Sequence, residues 1–98
     1  MKPALADTFA ALSDSTRMVV IGLLSQEPRR AGELAASLDM SPAAMSRHLR
    51  ILRRSGLIVE EGIAADARVR IYRLRKEPFD QMQRWLVEVR QFWTGQLN

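Results

Sequence analysis

Residues 31–56, "AGELAASLDMSPAAMSRHLRILRRSG", constrain the fold more than any other part of the chain. Two helical patterns flank the short turn "DMS". The first, about Ala31 to Leu38, places Leu34, Ala35 and Leu38 on one side. The second begins with Ser41 as N-cap and Pro42 at the first helical position, where the missing N–H costs nothing. It runs to about Ser55, and Gly56 is the expected C-cap. Its apolar residues Met45, Leu49 and Leu52 recur at spacings of four and three, which makes one buried stripe. Ala35 falls where the two helices cross and a small side chain is needed. Asp39 takes a turn position at which glycine is frequent, and aspartate tolerates left-handed backbone better than most residues.

The flanking segments complete the pattern. Ala4 to Leu12 reads as a helix with Leu5, Phe9 and Leu12 on one face. Asp14 and Ser15 are good caps for a second helix, Thr16 to Ser25, which ends before "QEPRR" because the residue preceding Pro28 avoids helical backbone. After Gly56, "LIVEE" reads as a strand, "GIAADA" as a loop and "RVRIYRLR" as a second strand, so the two form a hairpin. Pro78 starts a last helix, Phe79 to about Gly95, with Phe79, Met82, Trp85, Leu86, Val89, Phe92 and Trp93 in a wide apolar stripe. Packing is the expected role of Trp85 and Trp93. The fold class expected is mainly α with a small β-hairpin, a winged helix-turn-helix. A chain of 98 residues suits one domain over 1–98.

Several functions are excluded or disfavoured by composition. The chain has no cysteine and a single histidine, His48. Thiolate metal sites, disulfides and multi-histidine sites within one chain are therefore out of reach. No cofactor and no metal are expected. Ser46 and His48, two residues apart, are turned about 200° from each other on a helix, and no acid in that helix orients the imidazole. Catalysis is not expected. No apolar run approaches the roughly 20 residues of a membrane span. Met1 to Leu5 lacks the basic start and apolar stretch of a signal peptide, so a cytoplasmic protein is expected.

Charge points to the partner. The net charge is +4, but Met40 to Val59 holds four arginines and no acid, and Ala67 to Lys76 holds four arginines, one lysine and no acid. These two segments carry nine positive charges, so the remainder is net −5. Concentrated positive charge fits a polyanion such as double-stranded DNA, with a solvated basic face as the bland alternative. The helix after Ser41 suits a major groove. Its N-terminal residues Ser41, Pro42, Ala43, Ser46 and Arg47 would lie nearest base edges, where Arg bonds guanine and Ser is versatile. Arg50, Arg53 and Arg54 lie further along and suit phosphate or solvent. His48 belongs to the same helix, with packing beside Leu49 as its other reading. A winged-helix module that binds a protein partner is the alternative function. Nineteen acid-free residues after Met40 favour DNA.

Three stretches carry a family resemblance: "ALSDSTRMVVIGLL" (11–24), "GELAASLDMSPAAMSRHLRILRRSGLI" (32–58) and "ARVRIYRL" (67–74). Together they resemble the ArsR/SmtB winged-helix repressors, and the terminal "PFDQMQRWLVEVRQFW" resembles a branch without metal sites. The resemblance implies a homodimer that represses transcription from an imperfect inverted repeat. It implies a dimer interface from the first and last helices, here Leu5, Phe9, Met82, Trp85, Leu86, Val89, Phe92 and Trp93. The wing would bring Arg68 and Arg70 beside phosphate. Departures from the family bear on regulation and on contacts. Ala35, Ala36 and Ser37 stand where metal sensors carry cysteines, and the last helix has no histidine. Any small-molecule or protein inducer is left unnamed. Pro42, Ala43 and Ala44 stand where many members are polar. Glu60 and Glu61 at the wing base would repel phosphate.

Overall fold

The structure, a computed structural model, describes residues 4–97, and within them the side chains of all but 67, 94, 96 and 97. The first three residues of the N-terminal reading, and both ends of the expected 1–98 unit, lie outside the described residues. Helices α1 (Leu5–Leu12), α2 (Ser15–Leu24), α3 (Ala31–Ser37), α4 (Pro42–Arg54) and α5 (Lys76–Leu97) surround strands β1 (Arg29–Arg30), β2 (Ile58–Ile63) and β3 (Asp66–Leu74).

Local chemistry explains the boundaries. The Asp14 carboxylate accepts from the Arg17 backbone N–H at 3.0 Å and starts α2. Ser41 Oγ accepts from the Ala44 backbone N–H at 3.2 Å and starts α4, with Pro42 behind it. Both α3 and α4 end in the same way. Met40 N–H donates to the Ala35 carbonyl at 2.9 Å, and Leu57 N–H to the Leu52 carbonyl at 3.0 Å. Each closure needs one left-handed residue, supplied by Asp39 (φ 50°) and Gly56 (φ 78°). The expectation for Asp39 therefore holds, and the apolar residue that follows each turn, Met40 or Leu57, folds back onto the core.

The core lies where α2, α3, α4 and the sheet meet. Val20, Leu24, Leu34, Ala35, Met45, Leu49, Leu52, Leu57 and Ile58 are all buried there. The α4 stripe read from spacing is thus the stripe that is buried. From α5 only the first turn takes part, through the buried Pro78 and the half-buried Phe79.

Three details differ from expectation. The sheet has three strands in the order β1–β3–β2, not two. Arg29 and Arg30 pair antiparallel with Tyr72 and Ile71. Two charged residues carry no strand signal of their own, and only the neighbouring β3 recruits them. The hairpin turn is tight, since β2 extends to Ile63 and β3 begins at Asp66, with a register irregularity at Gly62/Ile63. Finally, α5 begins at Lys76, so Pro78 lies inside the first turn, where backbone N–H groups have no helical acceptor to lose.

The resulting shape is elongated. The radius of gyration is 15.8 Å, against about 13 Å for a compact chain of this length. The longest extent is 56 Å. Much of it is α5, whose 22 residues span about 33 Å.

Candidate nucleic-acid interface

The acid-free helix α4 has a buried side and an exposed one. Met45, Leu49 and Leu52 are inside. Ser41, Pro42, Ala43, Ser46, Arg47 and Arg50 are exposed. Ala43, Arg47, Arg50 and Arg54 recur at spacings of four, three and four, which puts them along one helical face. Among the described residues, no carboxylate lies within ion-pair distance of Arg47, Arg50 or Arg54.

The surface continues onto the wing. A cleft of about 210 Å³ is lined by Ser46, Arg50 and Arg53 of α4, Glu60 of β2 and Tyr72 of β3. A second, of about 370 Å³, is lined by Glu60, Tyr72, Arg68, Arg70, Arg30 and Gly32. Glu60 and Tyr72 border both, so one surface runs from the middle of α4 across the sheet to Arg68 and Arg70. The structure therefore brings Ser46, Arg50, Arg68 and Arg70 together, and adds Arg30. That residue was not nominated, because only its pairing opposite Ile71 carries it beside the wing.

Two nominated residues point elsewhere. His48 faces the start of α2, with Nδ1 3.5 Å from Arg17 Nη1 and 3.9 Å from Asp14 Oδ1. It is half-buried, in keeping with the packing reading. Arg54 lines a different cleft, between the end of α4 and α1, with Ala4, Asp7, Ala10 and Arg75.

Carboxylates balance the wing cations. Arg68 pairs with Asp66 through Nε at 3.3 Å, and its side chain is 92% exposed. Arg73 grips Glu61 of the neighbouring strand, and this hydrogen bond holds the Glu61 carboxyl below the usual range. Glu60 takes Arg70 Nε on Oε1 at 2.9 Å and Arg53 Nη1 on Oε2. The Tyr72 hydroxyl beside it is pushed up, first by burial and then by the Glu60 charge. Glu60 and Glu61, expected as bare repulsive charges, are thus each paired with arginine.

Comparison with known proteins decides the family. A helix-turn-helix domain family matches residues 12–61. The HTH-type transcriptional regulator Rv2034 of Mycobacterium tuberculosis is 32% identical over 88 residues, which cover 90% of this chain and 77% of that protein. A crystal structure of an ArsR family transcriptional regulator superposes with a TM-score of 0.81 at 37% identity, covering 92% of this chain and 96% of that one. The chain belongs to the ArsR-type winged-helix transcriptional regulators. It is a DNA-binding regulator and not an enzyme. The transcriptional activator HlyU of Vibrio cholerae is 35% identical over 48 residues, 49% of this chain and 44% of that protein.

In this regulator the helices at the two ends leave apolar surface uncovered. Phe9 of α1 meets Trp85 of α5 edge-to-face, with ring centroids 5.3 Å apart. Leu5 and Met82 are half-buried, whereas Trp85, Leu86, Val89, Phe92 and Trp93 are exposed. Val87 of the same helix is exposed as well, but it lies on the opposite side of α5, beside Gln83, Arg84 and Glu88, and is not part of that stripe. Among the described residues no cluster of His, Asp or Glu is arranged to hold a metal ion. No helix among them is long and apolar enough to cross a membrane.

Proposed function

We propose that this regulator represses transcription as a homodimer on an inverted-repeat operator. In this reading the chain acts as one cytoplasmic DNA-binding unit whose terminal helices form the dimer. The observation that carries the reading is the pairing of two surfaces. One is the α4 face, with Arg47 and Arg50 free of carboxylates among the described residues. The other is the bare apolar face of α5.

Exposed apolar area on this scale marks an association surface in a chain of this size. The aromatic pair Phe9–Trp85 joins α1 to α5 and makes the two helices one patch. A two-fold dimer through that patch presents two copies of α4, and two-fold symmetry in the protein is matched by an inverted repeat in DNA. Within each half-site, Ser41, Pro42, Ala43, Ser46 and Arg47 face base edges. Arg50 and the exposed Arg68 grip phosphate, Arg70 borders the same surface, and Arg54 stands apart from it in the cleft against α1. His48 acts from behind, holding α4 against the Asp14–Arg17 start of α2.

Selection from random duplex DNA, followed by transcription in vitro from a promoter carrying the selected site, tests the proposal. An enriched palindrome and a fall in transcript are expected. A rise in transcript would refute repression and leave the operator standing. A protein that selects no sequence would refute the operator itself.

A further inference from the structure

The wing holds an acid at a place where a DNA-binding surface would be expected to hold only cations. Glu60 lies on the continuous surface between α4 and Arg68, and its side chain is only 20% exposed. Each of its oxygens takes one guanidinium. Arg53 comes from the last turn of α4 and Arg70 from β3, so one carboxylate ties the reading helix to the wing. The strand register makes room for this. Arg70 stands opposite Gly62, and Glu60 opposite Tyr72. To reach Glu60, the Arg70 side chain lies across Gly62 so closely that a Cβ there would come within 3.1 Å of Nη1. Beside Arg30 and the Asp66-paired Arg68, the cations that α4 and Glu60 bring together on this face fall into two groups. Arg47 and Arg50 have no acidic partner among the described residues, whereas Arg53 and Arg70 are clasped.

We propose that Glu60 occupies Arg53 and Arg70 in the place of a DNA phosphate, and so restrains sequence-independent binding. A carboxylate oxygen and a phosphate oxygen are both anionic acceptors for an arginine N–H, so one can stand in for the other. While the clasp is closed, its three groups present one net positive charge instead of two. Each arginine is half exposed and keeps other N–H donors, but half of the clasp's charge is already neutralised, and a phosphate that takes the bond to Glu60 displaces a partner only 20% exposed. Arg47 and Arg50 need no such exchange. Affinity gained through base edges is thus kept, and affinity gained through backbone charge alone is reduced. The inference rests on the DNA-binding reading above and adds a specificity-determining residue to it.

The test is E60Q, which keeps the shape of the side chain and removes its charge. Binding to the selected operator and to a scrambled duplex is measured at several salt concentrations. Each arginine released onto a phosphate should steepen the salt slope by about 0.9 and tighten scrambled binding roughly fivefold to tenfold near 0.1 M salt. The operator preference should shrink accordingly. The triple variant E60Q/R53Q/R70Q should return the slope to the wild-type value or slightly below it. An E60Q protein with wild-type slope and scrambled affinity, still bound to its operator, would overturn the proposal. Wild-type protein that binds no operator would instead overturn the DNA reading beneath it. If E60Q melts below the assay temperature, R53Q and R70Q are measured singly. The clasp predicts a slope loss well under 0.9 for each, and a full loss would refute it.

Discussion

Replacing Phe92 by alanine isolates the role of α5 in association. Phe92 is 70% exposed, and among the described residues α5 meets the core through Pro78 and Phe79, so the fold of one chain does not depend on this ring. A phenyl group offers about 200 Å² of surface, of which the uncovered part is about 140 Å². At about 25 cal/mol per Å² this corresponds to roughly 3.5 kcal/mol, or about 3 kcal/mol once the Cβ kept by alanine is discounted. Ordering the side chain in an interface costs about 1 kcal/mol. The net loss is then about 2 kcal/mol per protomer. A two-fold interface counts it twice, so the dimer should weaken by about 4 kcal/mol, close to a thousandfold in dissociation constant. Sedimentation equilibrium over a wide concentration range measures the shift, and circular dichroism checks that helix content is kept. A folded Phe92→Ala protein whose dimer constant stays within tenfold of wild type would show that the distal part of α5 is not the interface.

Arg47→Ala should cost about 1–3 kcal/mol per half-site and relax the preference at one base pair, because Arg47 is exposed early in α4 with no competing acid among the described residues. Unchanged preference in a competition assay with single-base operator variants would place base reading elsewhere. Zinc, cadmium or arsenite at micromolar concentration should leave a DNA complex intact, since the chain has no cysteine and one histidine. Release by any of them, read by fluorescence anisotropy, would reveal a site shared between protomers. Asp14 is held below its ordinary value of 3.8, chiefly by the Arg17 backbone N–H. A depressed carboxylate stabilises the fold fully above its unfolded value and loses that contribution as pH falls through the lower folded value. Urea midpoints should therefore begin to fall below about pH 5, where unfolded carboxylates begin to bind protons. The fall should be shallower in Asp14→Asn, and an identical acid limb in the two proteins would remove Asp14 from the account.

Much of this regulator could be read along the chain because its signals are local. Ser41 with Pro42 starts α4, Gly56 ends it, and Met45, Leu49 and Leu52 mark its inner face. Each of these depends on residues within a turn or two of one another, so periodicity and capping suffice. Asp39 at a left-handed turn is legible for the same reason, and so are the apolar face of α5 and the absence of acids after Met40. What could not be read arises between segments distant in sequence. Arg29 and Arg30 have no intrinsic strand signal and become β1 only where β3 offers free backbone groups. That pairing is also what carries Arg30 to the wing. Glu60 read alone is a charge that repels phosphate. It is a shared partner because α4 and β3 deliver Arg53 and Arg70 to its two oxygens, and because Gly62 leaves space for one of them. His48 belongs by sequence to the reading helix, but the crossing of α2 against α4 turns it toward Asp14 and Arg17. Helical period assigns a residue to a face of its own helix, and the packing of the other elements decides what that face meets.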